Sequence, residues 1–240
     1  ALELDSTLAQ AHSALAVVKF GYEYDWAGAE AEFKRAIELN PSYPDAHALF
    51  SQTLMFMKRP EEAMAQIQRA LELDPFNAMF QAWCGVALGM AGRDDEALAQ
   101  FRQALRTSPR LGFAGNNIAR TLFNQGKYAD CLAEYKVLWA SDRERLGTLE
   151  QGFAQSDYRG AMRRVGDIVA TRSRTSGLGS AGPAYFYLMA GEKERTLEWL
   201  EKAFEARDGN LPYIVSRPSI DPLRSDPRFQ ALLHRMNLPQ

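Results

Sequence analysis

The chain has 240 residues, 46% apolar and 24% charged, an ordinary balance for a folded protein with a substantial core. Its net charge of −2 supplies no strong field for nucleic acid or anionic lipid, and no apolar run reaches the ~18–20 residues of a membrane-spanning helix. Cys84 and Cys131 are the only cysteines and form no CxxC, so no disulfide framework is suggested; both read as small core residues, in keeping with a reducing cytoplasm.

Ala1-Leu2-Glu3-Leu4-Asp5-Ser6 looks like the close of a preceding unit, so the chain reads as an excised piece of a longer protein. Helical periodicity then sets in. Over about 7–41, Ala11, His12, Leu15, Ala16 and Phe20 mark one helix, and Ala29, Phe33, Ala36 and Ile37 a second. The turn between them, Tyr22 to Trp26, is aromatic and carries one residue more than later turns; Asp25 is placed to cap the second helix. Segments 42–75 and 76–109 are regular: Pro60 opens a helix, Gly92 ends one, and Asp94 is a candidate cap for the next. Segment 110–143 keeps the turn at Gly126, but Cys131 and Leu138 replace alanines and no proline closes it. Segment 142–175 is degenerate, with Leu146, Leu149 and Phe153 on one expected helix and Tyr158, Ala161, Val165, Ile168 and Val169 on another. The stretch from Arg172 to Gly182 reads as a loop. The pattern recovers over 180–208 in Ala184, Tyr187, Gly191, Leu197, Leu200 and Ala203. In 209–240, a turn-like Asp208–Pro212 and an irregular stretch punctuated by Pro218, Pro222 and Pro227 precede a last helix over 227–236, capped by Asp226. Its Phe229, Leu232, Leu233 and Met236 are expected to cover the end of the preceding hairpin. No strand is predicted, and no flexible linker interrupts what reads as one continuous domain, 1–240.

Pro41, Pro75 and Pro109 lie 34 residues apart, each preceded at fixed distances by Ala36, Ala70 and Ala104, by Phe33, Ile67 and Phe101, and by Ala29, Ala63 and Ala97. Small residues let two helices approach, a bulky residue one turn away fills the gap, and the proline ends the unit. This pattern resembles the tetratricopeptide repeat. The resemblance implies an all-α right-handed superhelical solenoid of antiparallel helix pairs that is not an enzyme and binds a protein or peptide. The phrases Trp26 to Pro41 and Pro222 to Leu233 are also similar to C-terminal repeat regions of bacterial multidomain signalling proteins, which implies a sensory or assembly module attached to an effector.

No catalytic set can be assembled. Gly177-Leu178-Gly179-Ser180-Ala181-Gly182 matches GxGxxG, but no strand precedes it as a dinucleotide site requires. His12, His47 and His234 lack metal-ligand spacing, GxSxG is absent, and neither a metal nor a cofactor is expected. The Arg159, Arg163, Arg164, Arg172 and Arg174 cluster is diluted by Asp157 and Asp167, too narrow a stripe for nucleic acid. The resemblance instead points to the inner face of the first helices. Carried onto this sequence, that face includes Gln10, Ser13, Val17, Phe20, Asp45 and Asn117, and its peptide-binding candidates are Gln52, Met55, Phe56, Met79, Val86, Met90, Phe113, Asn116, Arg120, Phe123 and Asn124. The apolar members would form an adaptable trough, while Asn116, Arg120 and Asn124, spaced i, i+4, i+8, would orient a backbone and a carboxylate. Several of these side chains could equally pack between neighbouring helices. The lysine–asparagine carboxylate clamp of some relatives is not expected, because Ser13, Ala48 and Ala82 stand where its lysines would be. Self-association as a homodimer, or a small-molecule pocket near Tyr22–Trp26 or in the degenerate fifth unit, are the alternatives.

Overall fold

The computed structural model describes residues 7–176 and 181–239, and the described residues contain helices and no strand. The helices are α1 (Ala9–Val18), α2 (Trp26–Leu39), α3 (Pro44–Phe56), α4 (Pro60–Leu73), α5 (Ala78–Met90), α6 (Asp94–Thr107), α7 (Gly112–Asn124), α8 (Tyr128–Leu138), α9 (Arg143–Ala154), α10 (Tyr158–Ser176), α11 (Ala181–Ala190), α12 (Lys193–Glu205), the short α13 (Leu211–Val215) and α14 (Pro227–Arg235). A π-helical turn, Lys19–Glu23, follows α1, and a 3-10 helix, Pro218–Leu223, follows α13. Consecutive helices pair as antiparallel hairpins, the architecture of a tetratricopeptide-type solenoid.

The chain forms two compact units. Ala1–Leu111 together with Leu233–Gln240 makes the first, and Gly112–Leu232 the second. In the first, Asn40, Asp74 and Ser108 leave the helical region at the ends of α2, α4 and α6, as the clash with a following proline favours. The spaced alanines Ala29, Ala36, Ala63, Ala70, Ala97 and Ala104 have no accessible surface, and Phe33, Ile67 and Phe101 fill the space beside them. Each such large apolar side chain contributes roughly 1.5–3 kcal/mol by leaving water. The equivalent residues His47 and Gln81 tie each hairpin to the preceding loop. His47 Nε2 lies 3.0 Å from the Pro41 carbonyl, and Gln81 Nε2–H donates to the Pro75 carbonyl at 2.8 Å. The extra residue of the first turn is absorbed by the π-helical turn, which Tyr24 closes in the left-handed conformation at φ 56°. Asp25 then caps α2, its Oδ1 accepting from Gly28 N–H at 2.9 Å. Leu233–Gln240 completes this unit: Trp26 Nε1–H donates to the Met236 carbonyl at 2.6 Å, and Asn237 Nδ2–H to the Tyr24 carbonyl at 3.2 Å.

In the second unit, Leu138 stands in the alanine register, and the partner helix answers with Gly115. A Cβ built on Gly115 would lie 2.6 Å from Leu138 Cδ2, so a large residue is matched by none. Arg228 pairs with Glu194 and Glu201 on α12, and Lys193 with Asp226, which holds the start of α14 in this unit.

Four expectations change. Asp94 is the first helical residue, not the cap; Arg93 occupies the cap position without a side-chain bond, and Asp94, Asp95 and Glu96 instead place negative charge at the positive end of α6. Arg172–Ser176 continues α10 rather than forming a loop, because Arg172 is anchored on Asp142 and Glu144 and Thr171 and Thr175 bond back into the helix. Leu211 and Pro212 open a short helix instead of a turn. Phe229, Leu232, Leu233 and Met236 are all buried, but Leu233 and Met236 belong to the first unit rather than to the end of the sixth hairpin. The glycine-rich motif at 177–182 lies outside the described residues except for Ala181 and Gly182, which begin α11, and Ala1–Ser6 lies outside them entirely.

Candidate functional site

The inner-face candidates divide sharply by exposure. Gln52, Met55, Phe56, Val86 and Phe123 are buried, each between 1% and 7% accessible. In the first unit, Phe56 packs against Phe20 and edge-on against Trp26, so that stretch of the anticipated trough is filled by aromatic residues of the preceding hairpin. In the second, Phe123 meets the edge of Tyr128 at 5.2 Å. Met79, Met90, Phe113 and Arg120 are half-buried, and Asn116 and Asn124 are exposed. Of the further positions, Ser13, Phe20 and Asn117 are buried, Val17 and Asp45 half-covered or exposed, and Gln10 exposed.

The second unit gathers charge. Asn116 is turned back on its own helix, Nδ2–H donating to the Gly112 carbonyl at 2.8 Å, and Asn117 does the same to Phe113. This leaves Asn117 Oδ1 to accept from two arginines at once: Arg120, one turn along α7, and Arg217, at 3.1 Å. The Arg120 guanidinium also lies over the Tyr185 ring, 5.1 Å from its centre. Arg217 sits before Pro218 in extended backbone, and its Nε–H donates to the Tyr213 carbonyl at 2.9 Å. Tyr213 in turn meets the edge of Phe113 at 6.3 Å. The Asn116, Arg120, Asn124 series therefore does not present one open face: its middle member points into a pocket of aromatic side chains.

Electrostatics set this cluster apart. Desolvation lowers the Arg120 pKa; it lowers that of Arg217 well below the usual value, aided by the positive charge of Arg120. Arginine nonetheless stays protonated at physiological pH, so the shifts register chiefly the cost of taking two guanidinium groups out of water without a carboxylate partner. Burial pushes the Tyr185 hydroxyl up to about 12 and that of Tyr135 well above its ordinary value, so both remain neutral donors. Neither hydroxyl has a hydrogen-bond partner of good geometry. Among the described residues no carboxylate pairs with either arginine. Three acids of this unit are engaged elsewhere: Asp142 with Arg145 and Arg172, Asp167 with Arg195, Glu201 with Arg228. Arg120 was legible as a candidate; Arg217, Tyr185, Tyr135 and Tyr213 were not, since Tyr135 comes from the second helix of the same hairpin, Tyr185 from α11, and Tyr213 and Arg217 from the irregular segment after α12. Among the described residues, no group of three or more His, Cys, Asp or Glu side chains is arranged to hold a metal.

The family model of the tetratricopeptide repeat matches residues 22–83. No curated protein matches the sequence. Among solved structures, PilW, a widely conserved type IV pilus biogenesis factor, aligns over 94% of this chain and 98% of its own at 17% identity and a TM-score of 0.58. PilF of Pseudomonas aeruginosa aligns over 88% and 96% at 18% identity with the same TM-score, 0.58. YrrB, a TPR protein with an unusual peptide-binding site, aligns over 89% and 93% at 16% identity and a TM-score of 0.50. At these identities the likeness is one of fold.

Proposed function

We propose that this tetratricopeptide-type chain is a non-enzymatic scaffold that holds a segment of another protein, or of its own parent, against the first helix of its fourth hairpin. The observation that carries the reading is the character of α7. It buries one face in its unit, yet leaves Asn116 and Asn124 exposed beside half-buried Phe113 and Arg120. Amides that pair with peptide backbone, an aromatic wall and a forked cation are the groups a peptide groove needs. Stacked helical hairpins present such groups on a rigid surface without needing a catalytic centre. The fold likeness to a TPR protein with a peptide-binding site supports the same class of role. Attachment to an N-terminal effector, as in multidomain signalling proteins, fits this reading as a sensory or assembly module. In a pull-down with the chain as bait, Arg120→Glu is expected to lose the partner while circular dichroism stays unchanged. Undiminished capture by that variant would remove α7 as the binding surface.

A further inference from the structure

Resting on that reading but more specific than it, we infer that Arg120 and Arg217 form a receptor for a carboxylate, the side chain or C terminus of an acidic peptide. Four observations converge. Two guanidinium groups from distant parts of the second unit share a single acceptor, Asn117 Oδ1. No carboxylate pairs with either among the described residues, and Asp142, Asp167 and Glu201 of the unit are paired with other arginines. The Tyr135 and Tyr185 hydroxyls beside Arg120 are enclosed, and neither has a hydrogen-bond partner of good geometry. Finally, Arg120, Arg217, Tyr185, Tyr213 and Phe113 each keep part of their surface accessible, so the cluster reaches the surface of its unit.

The physical argument is one of compensation. Removing a guanidinium from water is costly, and a single neutral amide oxygen shared by two cations recovers little of that cost. A carboxylate has two oxygens and accepts a forked pair of N–H bonds from arginine, so it could take the place of Asn117 Oδ1 between the two groups. The low dielectric around the cluster that makes the empty pair costly would strengthen that contact. Phe113 and Tyr213 would form an aromatic wall for the chain that carries the acid. The arrangement differs from a lysine–asparagine clamp on successive first helices: one cation comes from α7 and the other from the segment that follows α13.

The experiment is thermal unfolding of the full chain in succinate, in inorganic phosphate and in sodium chloride at matched ionic strength. Saturating succinate is expected to raise Tm by about 2–4 °C above the chloride value. With Arg217→Met the succinate increment disappears, and the chloride Tm rises because an apolar side chain replaces an uncompensated charge. Arg217→Lys, which keeps the charge but loses the fork, is expected to fold and to lose most of the increment; Arg106→Met on α6 keeps it all. Arg120→Glu, which would set a carboxylate beside Arg217, is expected to stay folded and show no increment. An equal increment in wild type and Arg217→Lys, or none in wild type, overturns the receptor. An increment with phosphate and not with succinate overturns the carboxylate in favour of a phosphate group. A partner still captured by Arg217→Lys would sink this site and leave the scaffold standing, whereas a succinate response with no peptide ever bound would do the reverse.

Discussion

Asp142 shows how much one side chain can hold. It caps α9 by accepting from the Arg145 N–H at 3.2 Å, and it pairs with the guanidinium groups of Arg145 and of Arg172 on α10. The hydrogen bonds from Arg172, then those from Arg145, hold its carboxyl far below the ordinary carboxylate range. A depressed folded value means the stabilisation is fully present above the unfolded pKa of about 3.9 and is lost as pH falls from there towards the folded value. Asp142→Asn keeps a cap acceptor but drops the charge. It is expected to cost about 1 kcal/mol at pH 7, discounted because Arg172 is 44% exposed, with the difference from wild type shrinking below about pH 4 in urea titrations. A pH-independent difference would show that the ion pairs contribute nothing. At this scale Asp25 was readable as a cap because it stands alone before a clear apolar run. Asp94 was misplaced by one residue because Gly92, at φ 74°, and Arg93 together set where α6 begins. Arg217 carried no readable signal, since nothing local distinguishes it from a solvated arginine.

Two glycines of one element separate propensity from packing. Gly147 and Gly152 both lie in α9, where glycine costs up to ~1 kcal/mol relative to alanine. A Cβ on Gly147 would meet nothing within 4 Å, whereas one on Gly152 would lie 2.3 Å from the Ala161 Cβ. Gly147→Ala should therefore raise the urea midpoint by the equivalent of roughly 0.5–1 kcal/mol. Gly152→Ala should lower it by about 1–3 kcal/mol, as α9 and α10 are forced apart. Midpoints that move together would mean that this hairpin is not packed as described. The helices themselves were legible because proline and alanine spacing records backbone constraints local to each hairpin. The length of α10 was not, because the anchoring of Arg172 on Asp142 and Glu144 spans 30 and 28 residues. Arginine, serine and threonine there look like loop composition until those contacts exist.

At the scale of the molecule, the first unit is discontinuous in sequence. Met236 is fully buried in it and Leu238 nearly so, and the Trp26 indole depends on the Met236 carbonyl. Truncation after Arg235 removes a large buried side chain and leaves a buried N–H unmatched, together costing about 3–5 kcal/mol. Amide exchange in the π-helical turn and the start of α2 should then accelerate relative to α5, read by hydrogen-exchange mass spectrometry. Unaltered exchange there would mean the C-terminal segment is dispensable to the first unit.

Residue sizes at a period of 34 were sufficient to specify paired helices and their turns, because each of those features obeys rules confined to a few neighbouring residues. The same spacing could not say which inner-face side chains stay open: Met55, Phe56 and Val86 are closed off, while Phe113 and Arg120 are not. Nor could it bring Arg217 to Asn117 across 100 residues. Exposure and charge pairing depend on which distant segments the packed helices bring together, and no local pattern encodes that.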